Sequence, residues 1–202
     1  MSENGIKLRQ ENVYTDRKSI RLQGYDYSLS GGYFVSIITH KRTKFFGKIV
    51  GEEIKLNAAG KMVQKEWLLL ADRFPSLILD EFIVLPDHFH GILFLTYSEG
   101  QRGIPEGATT RVAHTEEARR STNKITTLKL GQIIGAFKSI TTNNYIHGVN
   151  DKGWKPFDKK IWHRNYHDRI IRNEKELKNI RNYIRNNTFQ RNNDTYKVFP
   201  YG

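Results

Sequence analysis

A chain of 202 residues with 38% hydrophobic and 27% charged residues has enough apolar material for one domain and its core. The absence of cysteine rules out disulfides and thiolate metal sites, which fits a reducing, cytoplasmic setting, and no apolar run is long enough for a membrane helix. A net charge of +12 directs attention to polyanionic partners.

In chain order, residues 1–30 read as an irregular basic lead-in, polar throughout and without the apolar segment of a secretory signal. Tyr33–His40, β-branched and aromatic, reads as a first strand. Lys41–Leu56 reads as a loop with a short hairpin. Asn57 is placed to cap a helix over 58–74, with Met62, Trp67, Leu70 and Phe74 as its buried stripe and Pro75 as its stop. Leu77–Pro86 and His88–Thr96 read as two strands, adjacent and antiparallel because the link between them is so short.

The stretch 97–124 is rich in Gly, Ser, Thr and charge without periodicity, and reads as a mobile surface insertion. Helical spacing returns over Thr127–His147, with Leu130, Ile133, Ile134, Phe137 and Ile140 on one face. Ile161–Ile171 reads as a fourth strand. Asn173–Asn187 reads as a last helix, capped by Asn173 and packed through Leu177, Ile180 and Ile184. Residues 191–202 form a tail. The order β-α-β-β-α-β-α predicts an α+β fold over 31–190. Its core is a ferredoxin-like split βαβ antiparallel sheet with helices on one face, plus a C-terminal helix.

The sharpest local feature is Pro86-Asp87-His88-Phe89-His90-Gly91. On a strand, alternate side chains share a face, so His88 and His90 project together and can bind one divalent cation. The bland alternative is a pair of hydrogen-bonded histidines. The second feature is Arg181-Asn182-Tyr183-Ile184-Arg185-Asn186-Asn187. Tyr183 and Asn187, four residues apart, are neighbours on one helical face. A phenol becomes a nucleophile beside a metal-polarised electrophile, and the Asn187 amide oxygen can complete a His-His-amide site. Arg181 and Arg185 flank the tyrosine and can hold phosphates. The bland alternative is an amphipathic helix whose tyrosine packs on the sheet. Tyr166, His167 and Asp168 offer a competing nucleophile, ligand or general acid/base, with structural roles as the alternative. From Asp151 to Gly202 there are 13 Lys/Arg against 6 Asp/Glu, a net of +7, interleaved with Trp154, Trp162, Tyr166 and Tyr183. Such a mixture suits a phosphate backbone with unstacked bases.

Together the element order, PDHFHGI and NYIRNN resemble the single-tyrosine HUH transposases, and more narrowly the REP-associated tyrosine transposases. The likeness runs from about Arg17 to Asn187. His88 and His90 match that family's histidine pair, Tyr183 its tyrosine, and Asn187 the Asn four residues on. Asp168-Arg169-Ile170-Ile171-Arg172-Asn173 resembles the stretch ahead of the tyrosine helix. Thr188 stands where Pro is usual, and Arg169 where His is common. The resemblance implies a transposase-type DNA nicking and strand-transfer enzyme. Mg²⁺ or Mn²⁺ would be held by His88, His90 and Asn187, and Tyr183 would form a 5′-phosphotyrosine link on single-stranded DNA beside a hairpin. It makes Arg17, Lys18, Arg21 and Arg172, with Arg181 and Arg185, the expected DNA contacts. A hairpin-binding descendant that no longer cuts is the alternative. Monomer and homodimer both remain open, and no membrane partner is expected.

Overall fold

In a computed structural model the described residues are 25–96 and 128–187. Arg17, Lys18, Arg21, the stretch 97–124 and the tail 191–202 lie outside them. The elements are β1 (Gly31–Ile38), β2 (Gly47–Val50), β3 (Glu53–Leu56), α1 (Ala58–Leu68), α2 (Leu70–Arg73), β4 (Leu77–Leu85), β5 (His88–Leu95), α3 (Leu130–Lys152), β6 (His167–Ile171) and α4 (Glu174–Arg185).

Four strands form one antiparallel sheet in the order β4-β5-β1-β6. β1 and β4 therefore run parallel with β5 between them, the split βαβ arrangement expected from the element order. β2 and β3 make a separate hairpin.

The sheet buries two different faces. Tyr33, Val35, Ile37, Phe89 and Leu93 enter a large core with Val63 and Trp67 of α1 and Ile133, Ile134 and Phe137 of α3. Phe34 and Ile92 enter a smaller one with Leu177, Ile180 and Ile184 of α4. The expected pair of helices shares one face, and the C-terminal helix covers the other. Trp67 lies so close to β5 that a Cβ on Gly91 would sit 2.7 Å from its ring. Only glycine admits that approach.

Local signals explain most of the element ends. The Asn57 side chain accepts from the Gly60 N–H at 2.9 Å, and Asn173 accepts from the Glu176 N–H at 2.9 Å. Both caps satisfy an otherwise orphaned helix donor. The helix expected over 58–74 is divided at Leu69 into α1 and α2. α3 runs through Asn150 and Asp151, read from sequence as loop, because Tyr145 and Gly148 are buried against Trp154. It ends at Gly153 in the left-handed region, φ 64°.

The fourth strand is shorter than Ile161–Ile171. Ile161 and Trp162 are both buried, so this stretch lacks strand alternation, and it meets the chain just past β1 at an isolated bridge between Thr39 and Trp162. The carbonyls of His163 and Arg164 accept from Lys138 Nζ at 2.7 and 2.9 Å instead of from a neighbouring strand. Regular pairing starts at His167.

Candidate metal–tyrosine site

The turn between β4 and β5 is fixed before the histidines begin. The Asp87 carbonyl accepts from both the N–H and the hydroxyl of Thr39 at 2.9 Å, and the Pro86 carbonyl accepts from the Phe46 N–H. β5 then turns His88 and His90 to the α4 face, while Phe89 enters the large core. Both histidines are buried, and their rings lie 4.8 Å apart, edge to face.

Each imidazole has a distinct setting. His88 Nδ1 lies 2.7 Å from Asp87 Oδ1, which orients the ring and leaves Nε2 as its other nitrogen. Burial alone would raise the Asp87 carboxyl, but the His88 hydrogen bond and the nearby Arg42 hold it below the usual carboxylate range. Arg42 reaches the other Asp87 oxygen at 3.6 Å. His90 stacks on Phe34 at 5.4 Å between centroids. Burial first, then the neighbouring His88 ring and the Arg42 guanidinium, hold His90 well below its ordinary value. It is thus a neutral imidazole with a lone pair to give.

Tyr183 comes to the same place from α4. Its hydroxyl lies 3.3 Å from His90 Nε2, and its ring meets His90 at 5.5 Å and Phe34 edge-on at 6.3 Å. The contact spans 93 residues of sequence and lies within one chain. Asn187, just past the end of α4, is 1% exposed, and neither its Oδ1 nor its Nδ2 has a hydrogen-bond partner among the described residues. Nδ1 of His90 also has none. Buried polar atoms without partners are uncommon and mark positions where a further donor or acceptor fits.

The remaining expected residues are placed as follows. Arg181 is held by Asp80, with Nη2 at 2.5 Å and Nε at 3.1 Å, and reaches Glu174 at 3.7 Å. Arg185 is held by Glu81 at 2.5 Å. Both arginines thus already have carboxylate partners, supplied where β4 slips register between Leu79 and Phe82. Arg172 is exposed just before α4. His167 is exposed on β6, on the same face as His90 and separated from it by Ser36 of β1. Asp168 faces the other way, paired with Val35, and Tyr166 packs against the large core. The competing nucleophile is therefore on the wrong side of the sheet from the histidines. Asp87 and Phe34 were not singled out in the sequence; an acid directly before a His-x-His pair was the available signal for the first.

No protein-family model matches the chain. Over 172 residues it is 32% identical to an uncharacterized protein of Haemophilus influenzae (strain ATCC 51907 / DSM 11121 / KW20 / Rd), a match covering 85% of this chain and 87% of that one. The chain belongs to the family of that protein. Among solved structures it is similar to a REP-associated tyrosine transposase bound to a REP hairpin, with TM-score 0.49 and 17% identity over 83% of this chain and 72% of that chain. Among the described residues no helix is long and apolar enough to cross a membrane.

Proposed function

We propose that the chain is a transposase-type tyrosine nuclease and strand transferase acting on single-stranded DNA beside a hairpin. The observation that carries this reading is the meeting of the Tyr183 hydroxyl with His90 Nε2 at 3.3 Å, beside His88. A tyrosine used only for packing has no need of a buried imidazole at its hydroxyl, with a second imidazole against the first.

The donor set fits a divalent cation. His88 is oriented by a carboxylate, His90 is neutral, and the Asn187 amide is buried with its oxygen unengaged. The third protein ligand would be the Asn187 amide, four residues beyond Tyr183 and buried. Two nitrogen ligands and one oxygen suit Mn²⁺ and admit Mg²⁺. Such a cation supplies Lewis-acid polarisation of the scissile phosphate and neutralises charge in the transition state.

The chain's own residues supply the rest. Tyr183 Oη forms a bond to phosphorus as the bond from phosphorus to the 3′-oxygen breaks. The phenol proton passes to solvent, the departing 3′-oxygen takes one up, and the products are a 5′-phosphotyrosine and a free 3′-hydroxyl. Attack by a 3′-hydroxyl on the phosphotyrosine reverses the bonds and releases the phenol. Phe34 packs against both the His90 ring and the tyrosine ring, which would restrict the orientation of the nucleophile.

The test is a denaturing gel of the protein incubated with hairpin-bearing single-stranded DNA and Mn²⁺. A covalent adduct is expected, and Tyr183→Phe should abolish it while DNA binding persists. An undiminished adduct in Tyr183→Phe overturns the nucleophile assignment. No adduct on a matched hairpin turns the reading to a binding protein that does not cut.

A further inference from the structure

On the α3 side of the sheet, away from Tyr183, lies a groove of about 360 Å³. Its walls combine the apolar surface of Ile161 and Trp162 with Lys138 of α3 and Lys160, His163 and Arg164 of the segment leading to β6. Among the described residues no carboxylate lines it. Asp158, close by in sequence, is paired with Lys41 at 3.1 Å.

The groove is built rather than incidental. Lys138 Nζ holds the carbonyls of His163 and Arg164, and this fixes the segment beside α3 with the Lys160 and Arg164 side chains exposed. The concentration of positive charge is felt by its members. Burial first, and Lys160 second, bring the Lys138 ammonium down to about 8. Nearby His40 is lowered by desolvation and then by Lys160 and Lys41. Such a set of cations is relieved by an anion.

The position of the groove points to which anion. Ile38, the last residue of β1, pairs with His88 on one side, and its carbonyl accepts from the His163 N–H at 2.8 Å on the other. The His40 N–H donates to the Ile161 carbonyl, and Thr39 holds the Asp87 carbonyl. The histidine site and the groove therefore flank one end of β1, with Lys41 and Arg42 on the turn that follows it.

We propose that this groove binds the phosphodiester backbone of single-stranded DNA, as a second anchor for a strand that crosses the end of β1 from the His88–His90–Tyr183 site. The choice of DNA as partner rests on the function proposed above. A backbone lying in a line of lysine and arginine releases counterions at each phosphate, and this gives its binding a characteristic salt dependence.

The measurement is fluorescence anisotropy of a labelled oligothymidylate against salt, with the full chain and no metal. Lys160→Glu/Arg164→Glu should weaken binding about ten-fold or more and reduce the log–log salt slope by about 1.4, about 0.7 for each phosphate that is no longer neutralised. Both positions are exposed, and circular dichroism checks that the variant is folded. Lys61→Glu/Lys65→Glu on α1 changes the net charge equally and should leave the slope unaltered. An unchanged slope in the groove variant overturns the proposal, as does an equal loss in the α1 variant. If thymidine monophosphate binds as tightly as the oligonucleotide and its binding disappears in the groove variant, the groove is a small-nucleotide site and the strand-path proposal falls. Tighter binding of a hairpin duplex that depends on the same pair replaces the single strand with a duplex and also overturns it. If the groove variant loses affinity as expected but wild type forms no adduct with Mn²⁺, the nuclease reading fails and the groove stands.

Discussion

At Asp87 a carboxylate meets His88 Nδ1 on one oxygen and Arg42 on the other. This is the arrangement by which a neighbouring acid fixes the tautomer and direction of a ligand imidazole. Asp87→Ala should therefore weaken Mn²⁺ binding about 10- to 100-fold by calorimetry, and Asp87→Asn, which keeps an acceptor for Nδ1, should recover much of it. Equal losses in both variants would show that the negative charge matters and the hydrogen bond does not. Gly91, one residue past the histidine pair, has its strand position because Trp67 and the Phe89 ring occupy the space of a Cβ. Gly91→Ala should cost about 1–3 kcal/mol by overpacking, read as a lower urea midpoint with an unchanged m-value. A neutral substitution would mean that Trp67 repacks without strain.

The element that carries the tyrosine is held by polar ends and an apolar middle. Leu177, Ile180 and Ile184 bury against Phe34 and Ile92, Asn173 caps the first turn, and the Asp80–Arg181 and Glu81–Arg185 pairs bind α4 to the irregular part of β4. Burial would raise the Asp80 carboxyl, but Arg181 and the Glu81 N–H hold it below its ordinary 3.8. A carboxylate with a depressed folded value contributes stability that is present above its unfolded value and lost as pH falls through the folded one. Acidification below about pH 4 should therefore reduce the urea midpoint of wild type more steeply than that of Arg181→Ala. Parallel acid profiles would remove Asp80 as a source of stability. At neutral pH, Asn173→Ala should cost about 1 kcal/mol, because the first turn then has no side-chain cap.

Across the whole molecule the sheet is covered unequally. The face under α1 and α3 holds a large aromatic core in which Trp67, Phe89, Phe137 and Trp162 touch in series, while the other face holds α4 over a five-residue cluster. Local opening free energy follows the extent of burial, so α4 should open before the rest. Hydrogen exchange should show α4 amides exchanging faster than those of α3 at neutral pH, and Arg181→Ala should accelerate α4 alone. Equal protection of the two helices would mean that α4 unfolds only with the whole domain.

Periodicity and capping made the elements legible: the alternation that puts His88 and His90 on one face, the Asn57 and Asn173 caps, and the stripe of α4 depend on neighbours within a few residues. The split βαβ order followed from those elements and short links. Three features did not follow, each for the same reason. An amphipathic stripe says that α4 has a buried face but not which side of the sheet receives it. A register slip at Asp80 and Glu81 is set by pairing with β5, and it decides that Arg181 and Arg185 meet carboxylates. The late start of β6 depends on Lys138, more than twenty residues away, taking the carbonyls of His163 and Arg164. The sequence by itself pointed to His88, His90 and Tyr183 and to the strand and helix that carry them. Only the tertiary structure decided that the Tyr183 hydroxyl reaches His90 within one chain, because a contact across 93 residues is fixed by how the layers pack and not by any local rule.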